Sequence, residues 1–277
     1  MLKESRALET DCYVIGFGAF GIFFRWMQLM LSRTEEGVFD PGFWNFALPV
    51  LMLSAAIVYI RFILKLKREH FSVPDDFCSA LRNEGRVYSI CRIVFSAAMV
   101  IGSLVLLAQS ETDQNENFLL AIAIAGVFTG ISFYFLLMSA NKASVENLNL
   151  ASFLSTVPVL LFAIWLVTCY KQNSISGVGW DYITEIAAVS SAMIAFMRIA
   201  GFAYGIPNWK RSMFWCMMAA TLCIMTLSDN RYIGQQIMFG AAAFMLLMYN
   251  WILLSNMKAG RKTYSGQDSA GFEHLNI

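Results

Sequence analysis

The sequence predicts an all-α, polytopic membrane protein of about eight transmembrane helices, arranged as four antiparallel hairpins with both termini cytoplasmic. Three observations carry this expectation. Hydrophobic residues form 58% of the 277 and charged residues only 14%, against about 45–50% and about 25% in soluble domains. The apolar residues gather into eight runs of the length needed to cross a bilayer core of about 30 Å. The lysines and arginines between those runs alternate in abundance from one loop to the next, which is the pattern that orients a membrane protein.

Taken in order, the runs are Cys12–Leu31, Phe43–Leu64, Tyr88–Ala108, Phe118–Met138, Leu148–Cys169, Tyr182–Tyr204, Ser212–Leu227 and Gly234–Leu254. The first follows MLKESRALETD, contains Arg25 and lacks a small-residue cleavage site, so it is expected to be a retained signal-anchor helix. Within it, Gly16, Gly18 and Gly21 spell GxGxxG. No strand precedes this motif and soluble phosphates cannot reach it, so close helix packing explains it better than dinucleotide binding. Gly126 with Gly130, and Gly201 with Gly205, are expected to act as GxxxG contacts in the same way.

Thirteen basic residues fall at the N-terminus, in the loops after the second, fourth and sixth runs, and in the C-terminal tail, whereas the opposite loops hold only Arg33, Lys171 and Arg231. Both termini are therefore assigned to the cytoplasm. Phe43, Trp44, Phe118, Trp180, Tyr182 and Tyr232 fit an outer aromatic belt, and Trp209, Trp215 and Trp251 an inner one. Residues 1–258 are read as one transmembrane domain, and residues 259–277 as a flexible cytoplasmic tail.

The cytoplasmic connection 65–87 has the form of a helix start. Ser72 stands as N-cap, Pro74 in the first turn and Asp75 in the capping-box position, followed by the apolar stripe Val73, Phe77 and Leu81. This spacing predicts a short amphipathic helix that lies on the inner membrane surface or docks a membrane or cytoplasmic protein partner.

Charges inside the runs are the most informative chemistry, because each is costly at mid-bilayer, from about 2.5 kcal/mol upward. Arg61 and Arg92 lie close enough to the cytoplasmic boundary to snorkel. Arg25, Glu185 and Arg198 need partners. Glu185 and Arg198 lie thirteen residues apart, about 20 Å along one helix, so they cannot pair with each other. Arg25 and Glu185 are expected at similar depth and form a candidate interhelical ion pair, with Glu185 read as the only acid in a span. Arg198, with Tyr204 and Asn250 as neighbours, is a candidate anion or lipid-headgroup site. Pro158 removes one backbone donor from the fifth run, leaving Ser155 and Thr156 to answer the freed carbonyls.

These residues, Arg25, Glu185, Arg198, Pro158, Tyr204 and Asn250, define a candidate polar path for a small solute or lipid. The competing expectation is a non-catalytic scaffold or sensory subunit of a larger complex. The two histidines, His70 and His274, and the absence of HExxH, GxSxG or Walker patterns give an enzyme little support. The six cysteines form no CxxC and are expected as free thiols, with no metal or cofactor. The scattered basic residues give no nucleic-acid surface. The bilayer itself is the expected partner, and the short loops fit a cell membrane, specifically a bacterial inner membrane.

Overall fold

The computed structural model describes residues 2–31, 43–69, 71–110, 116–141, 145–173 and 182–259. His70, Trp180, Glu111, Asp113, and the tail from Gly260 to Ile277 with His274, lie outside them. Apart from one two-residue strand pairing, the regular structure of the described chain is helical: α1 Leu2–Leu31, α2 Phe43–Arg68, α3 Phe77–Ala80, α4 Arg86–Ser110, α5 Glu116–Ser139, α6 Val145–Asn173, α7 Ile183–Ala203, α8 Trp209–Met225 and α9 Ile233–Ser255. All but α3 are long and apolar enough to cross a membrane, eight in total. Helix is the form such segments must take, because in hydrocarbon every backbone donor and acceptor has to be satisfied within the segment.

Burial sorts the helices. The apolar window of α9 is 78% buried and that of α8 61%, whereas α1 and α2 reach only 28%. Helix α9 is therefore the central element, packed against α1, α4 and α8, and α1 with α2 lies at the edge against α8. Small residues permit the closest approaches. A side chain at Gly102 would meet Ile237 and Met238, and one at Gly130 would meet Val100 and the Ser96 carbonyl. The Ser96 hydroxyl also donates to the Gly130 carbonyl at 2.6 Å. Along the middle of the bundle, rings fill the space. Phe162 stacks on Phe196 at 5.5 Å and lies parallel to Trp165, Trp165 meets Phe239 at 4.5 Å, and Tyr249 contacts both Phe133 and Phe196 edge-on.

The GxxxG expectation divides. Gly18 packs on Ile224 and Gly21 on Met225, so these two do admit α8, but nothing approaches Gly16. Gly126 packs on Ser103 and Met238. The second pair has a different role: Gly205 has φ +73° and ends α7. Its amide donates to the Phe202 carbonyl at 3.4 Å and the Ile206 amide to the Gly201 carbonyl at 2.8 Å. This is a Schellman termination, favoured because glycine takes the left-handed region without penalty and Pro207 cannot continue the helix.

At the bundle end that holds the start of α1 and the close of α9, called the near end here, the connection between α2 and α4 is stitched into place. Phe71–Ser72 pairs antiparallel with Lys258–Ala259, so the last two described residues are tied to the start of this connection. The helix is a single turn whose N-cap is Asp76, not Ser72: the Asp76 carboxylate accepts from the Ser79 amide at 3.2 Å. Strand pairing holds Ser72 extended, which removes it from the capping role. Val73, Phe77 and Leu81 are buried in the protein core, so the apolar stripe faces the bundle and is not offered to a membrane surface. Burial pushes the Cys78 thiol pKa up, and the Asp76 charge adds to the effect.

Asn83 is the main fastener. Its amide nitrogen donates to the carbonyls of Leu81 and Leu137 at 3.0 and 2.8 Å, and it exchanges further bonds with Asn141, while Asn256 donates to the carbonyls of Ala80 and Arg82. Asn83→Ala removes the two bonds its side chain donates to Leu81 and Leu137 and the one it accepts from the Asn141 side chain, at a buried position, and a loss of about 1 to 3 kcal/mol is expected. Limited proteolysis should then cut within residues 71–85 well below the temperature at which the bundle melts.

Candidate functional site

The polar core lies at the far end of the bundle, where α1, α6 and α8 finish and α7 and α9 begin. Glu185 sits in the first turn of α7, where a carboxylate is favoured by the helix dipole. The 3-10 turn Thr226–Ser228 closes α8 and delivers Asp229 and Arg231 on the short link to α9. These placements bring two acids and two guanidinium groups together from segments far apart in the chain.

Arg25 Nε donates to Asp229 Oδ1 at 2.6 Å, and Arg25 Nη1 donates to Gln28 Oε1 at 2.7 Å. Asp229 Oδ2 also accepts from the Thr184 hydroxyl at 2.9 Å and from Arg231 Nη2 at 3.1 Å. Arg231 Nη1 pairs with Glu185 Oε2, and the other Glu185 oxygen accepts from the Trp165 indole at 2.9 Å. Gln236 donates to the Asp229 carbonyl at 3.0 Å, tying the start of α9 to the same turn. All four charged side chains are at most 9% exposed. Burial pulls the Arg231 pKa down, but the charges of Glu185 and Asp229 and the hydrogen bonds to both outweigh it and hold the group above its ordinary value. With two positive and two negative groups, the network carries no net charge while each of its members is ionised.

The expected Arg25–Glu185 ion pair is thus replaced by a relay. Each residue takes the partner that the α8–α9 turn supplies, Asp229 for Arg25 and Arg231 for Glu185, and the two meet only through those partners. Arg231 was legible as a loop charge, but nothing local marked it or Asp229 as buried. The available signal was that two opposite charges two residues apart, on a link too short to leave the bundle, lie beside helix ends that carry unpaired charge.

The other candidate residues lie apart from this network. Arg198 is half-buried, its carbonyl accepts from Ser212 at 3.2 Å, and its Nε is buried without a hydrogen-bond partner. Tyr204 is 54% exposed at the close of α7. Pro158 is buried within a continuous α6, and Ser155 and Thr156 bond the carbonyls of Ser152 and Phe153, not that of Leu154, which the proline leaves free. Arg61 is exposed, as an anchor would be, whereas Arg92 lies over the Tyr134 ring at 4.8 Å.

Asn250 is the outlier. It is fully buried on α9, and neither its side-chain oxygen nor its nitrogen has a hydrogen-bond partner; the neighbouring Tyr249 hydroxyl is buried and unpartnered too. A second unanswered group is the Asp11 Oδ1 atom. The helix that can span extends back to Arg6, so Asp11 lies within it and Glu185 is not the only acid in a span. The run of charges in ESRALETD hides this, because α1 continues as helix through residues too polar to score as membrane.

No family model, curated protein or solved structure matches the chain. The fold and the composition define its class on their own: it is a multi-pass, all-helical membrane protein whose lipid-facing surface contacts the bilayer.

Proposed function

We propose that the protein binds or translocates a small solute or lipid between its helices, with the site in the half of the bundle nearer the termini. The observation that carries this reading is Asn250, fully buried with both its side-chain oxygen and its side-chain nitrogen unanswered. Each such group costs about 1 to 3 kcal/mol when left unmade. A bound molecule that answers them removes that penalty. Arg198, Tyr204 and Pro158 shape the approach, and the neutral Arg25–Asp229–Arg231–Glu185 cluster closes the other end.

The same reading treats residues 1–258 as one domain of four antiparallel hairpins. Contacts such as Ser96 with Gly130 and Ser103 with Gly126 support this for α4 and α5, as does Trp165 with Glu185 for α6 and α7. The termini are cytoplasmic, because Lys65, Lys67, Arg68, Arg82, Arg86, Lys210 and Arg211 all lie at the near end. A cell membrane, specifically a bacterial inner membrane, suits this economy of loops.

Native mass spectrometry of protein extracted in mild detergent tests the binding reading. A non-covalent adduct is expected on the wild type and absent from Asn250→Leu, and the substituted apo-protein should melt higher, since leucine leaves no polar atom unmet. Identical adduct-free spectra would favour the second reading, a scaffold or sensory subunit. That alternative draws on the paired charges and the ring-filled centre, with the exposed rim of residues 65–87, including Asp75, Asp76, Arg82 and Glu84, as its partner surface.

A further inference from the structure

Arg92 is a buried cation without an anion. It lies on the inward stripe of α4 with Met99, Ser103, Leu106 and Ser110, and is only 9% exposed. Arginine does not lose its proton in proteins, so burial cannot neutralise it. Among the described residues no acid pairs with it: Glu69 is held by Arg6, Glu84 by Arg82, and Asp76 caps α3. The polar groups one turn away on either side are committed too, the Tyr88 hydroxyl to Ser255 at 3.0 Å and the Ser96 hydroxyl to the Gly130 carbonyl at 2.6 Å.

What Arg92 does have is a platform. Its guanidinium carbon stands 4.8 Å from the centroid of the Tyr134 ring on α5. A ring answers the face of a guanidinium and leaves the N–H groups around its edge unmet. Nε is buried with no hydrogen-bond partner, and the Nη nitrogens, which are not enclosed, have none among the described residues either.

The platform borders lipid. Tyr134 is half-buried, between Gly130, against which α4 packs, and the exposed Ile131, Phe135 and Met138. Depth agrees. Helix α4 has 25 residues, against about 20 for the hydrocarbon core, so its ends reach the headgroup layer. Arg92 stands six residues inside α4 from Arg86, and Tyr134 five inside α5 from Ser139, about 9 and 8 Å from the near end. Long side chains on a helix lean back toward its start, which for α4 is the near end, where lipid phosphates meet hydrocarbon.

We infer that Arg92 holds the phosphate of an anionic phospholipid from the leaflet at the near end, with Tyr134 on the guanidinium face and the phosphate oxygens at its edge. Phosphate oxygens accept from a guanidinium edge in pairs, and one negative charge balances the arginine. The apolar residues beside Tyr134 suit acyl chains, which selects a lipid over a soluble anion. This site is separate from Asn250 and does not rest on it.

The test is the melting temperature of the delipidated full chain in detergent, read by tryptophan fluorescence, with phosphatidylglycerol, phosphatidylcholine, diacylglycerol or inorganic phosphate added. Phosphatidylglycerol is expected to raise it saturably by about 3 °C or more, phosphatidylcholine by less, and diacylglycerol not at all. Arg92→Met should melt no lower than the wild type without lipid, because it removes an unpaired charge, yet gain nothing from phosphatidylglycerol. A residue that only packs would instead lower the melting temperature with and without lipid. Tyr134→Leu should weaken phosphatidylglycerol binding by about threefold to tenfold, whereas Tyr134→Phe, which keeps the ring, should not. In native mass spectra, Arg92→Met should lose a phosphatidylglycerol adduct that Asn250→Leu retains. Equal gains in the wild type and Arg92→Met, equal gains from phosphatidylglycerol and diacylglycerol, or a rise with inorganic phosphate in place of the lipid would each overturn the inference.

Discussion

Asp229→Ala is expected to destabilise the protein by about 3 to 5 kcal/mol, because it leaves Arg25 as a buried charge with its chief partner removed. The pair is 1% and 5% exposed, so water cannot take the place of the carboxylate. Asp229 also accepts from Thr184 and Arg231, and the single change therefore loosens α1, α7 and the α8–α9 link together. Denaturation in mixed micelles, read by tryptophan fluorescence, measures the loss. Arg25→Met in the Asp229→Ala background should recover much of it, since the Arg231–Glu185 pair that remains is balanced. A double variant no more stable than the single one would show that the ion pair is not what holds α1 to the turn.

The second large effect is steric. A side chain at Gly234 would stand 2.5 Å from the Leu106 nitrogen and 2.6 Å from its Cα. Those are backbone atoms and cannot rotate away, so α4 and α9 must separate at the point where the Gly234 amide donates to Gln109 at 3.1 Å. Gly234→Val is expected to lose about 3 kcal/mol, at the upper end of over-packing losses. Gly240→Ala on the same helix is the contrast. Nothing lies within 4 Å of a methyl group there, and removal of a helical glycine should gain about 0.5 to 1 kcal/mol. Thermal melts of the two variants side by side should diverge in opposite directions from the wild type.

These two predictions also show where sequence reading succeeds and where it stops. The eight apolar helices were legible because spanning a bilayer is a demand on each segment alone, met by length and composition. The presence of unpaired charge at Arg25 and Glu185 was equally legible, since the energetic penalty belongs to the residue. The docked connection was misread at its start because Ser72-Val73-Pro74-Asp75 satisfies the local rules for a cap, while the extended pairing of Ser72 with Lys258 comes from the other end of the chain. Gly205 was misread for a related reason: glycines at a spacing of four suit a helix contact and a helix end alike, and only the backbone angle separates them.

By itself, then, the sequence determined the class of protein, the number of its spanning helices and the residues that could not be left alone in a membrane. The tertiary structure decided who answers them. Arg25 and Asp229 are 204 residues apart, and no local pattern links them. Hydropathy and capping act over a turn or two of helix, but a buried charge is satisfied by whichever opposite charge the packing of distant helices brings within about 3 Å.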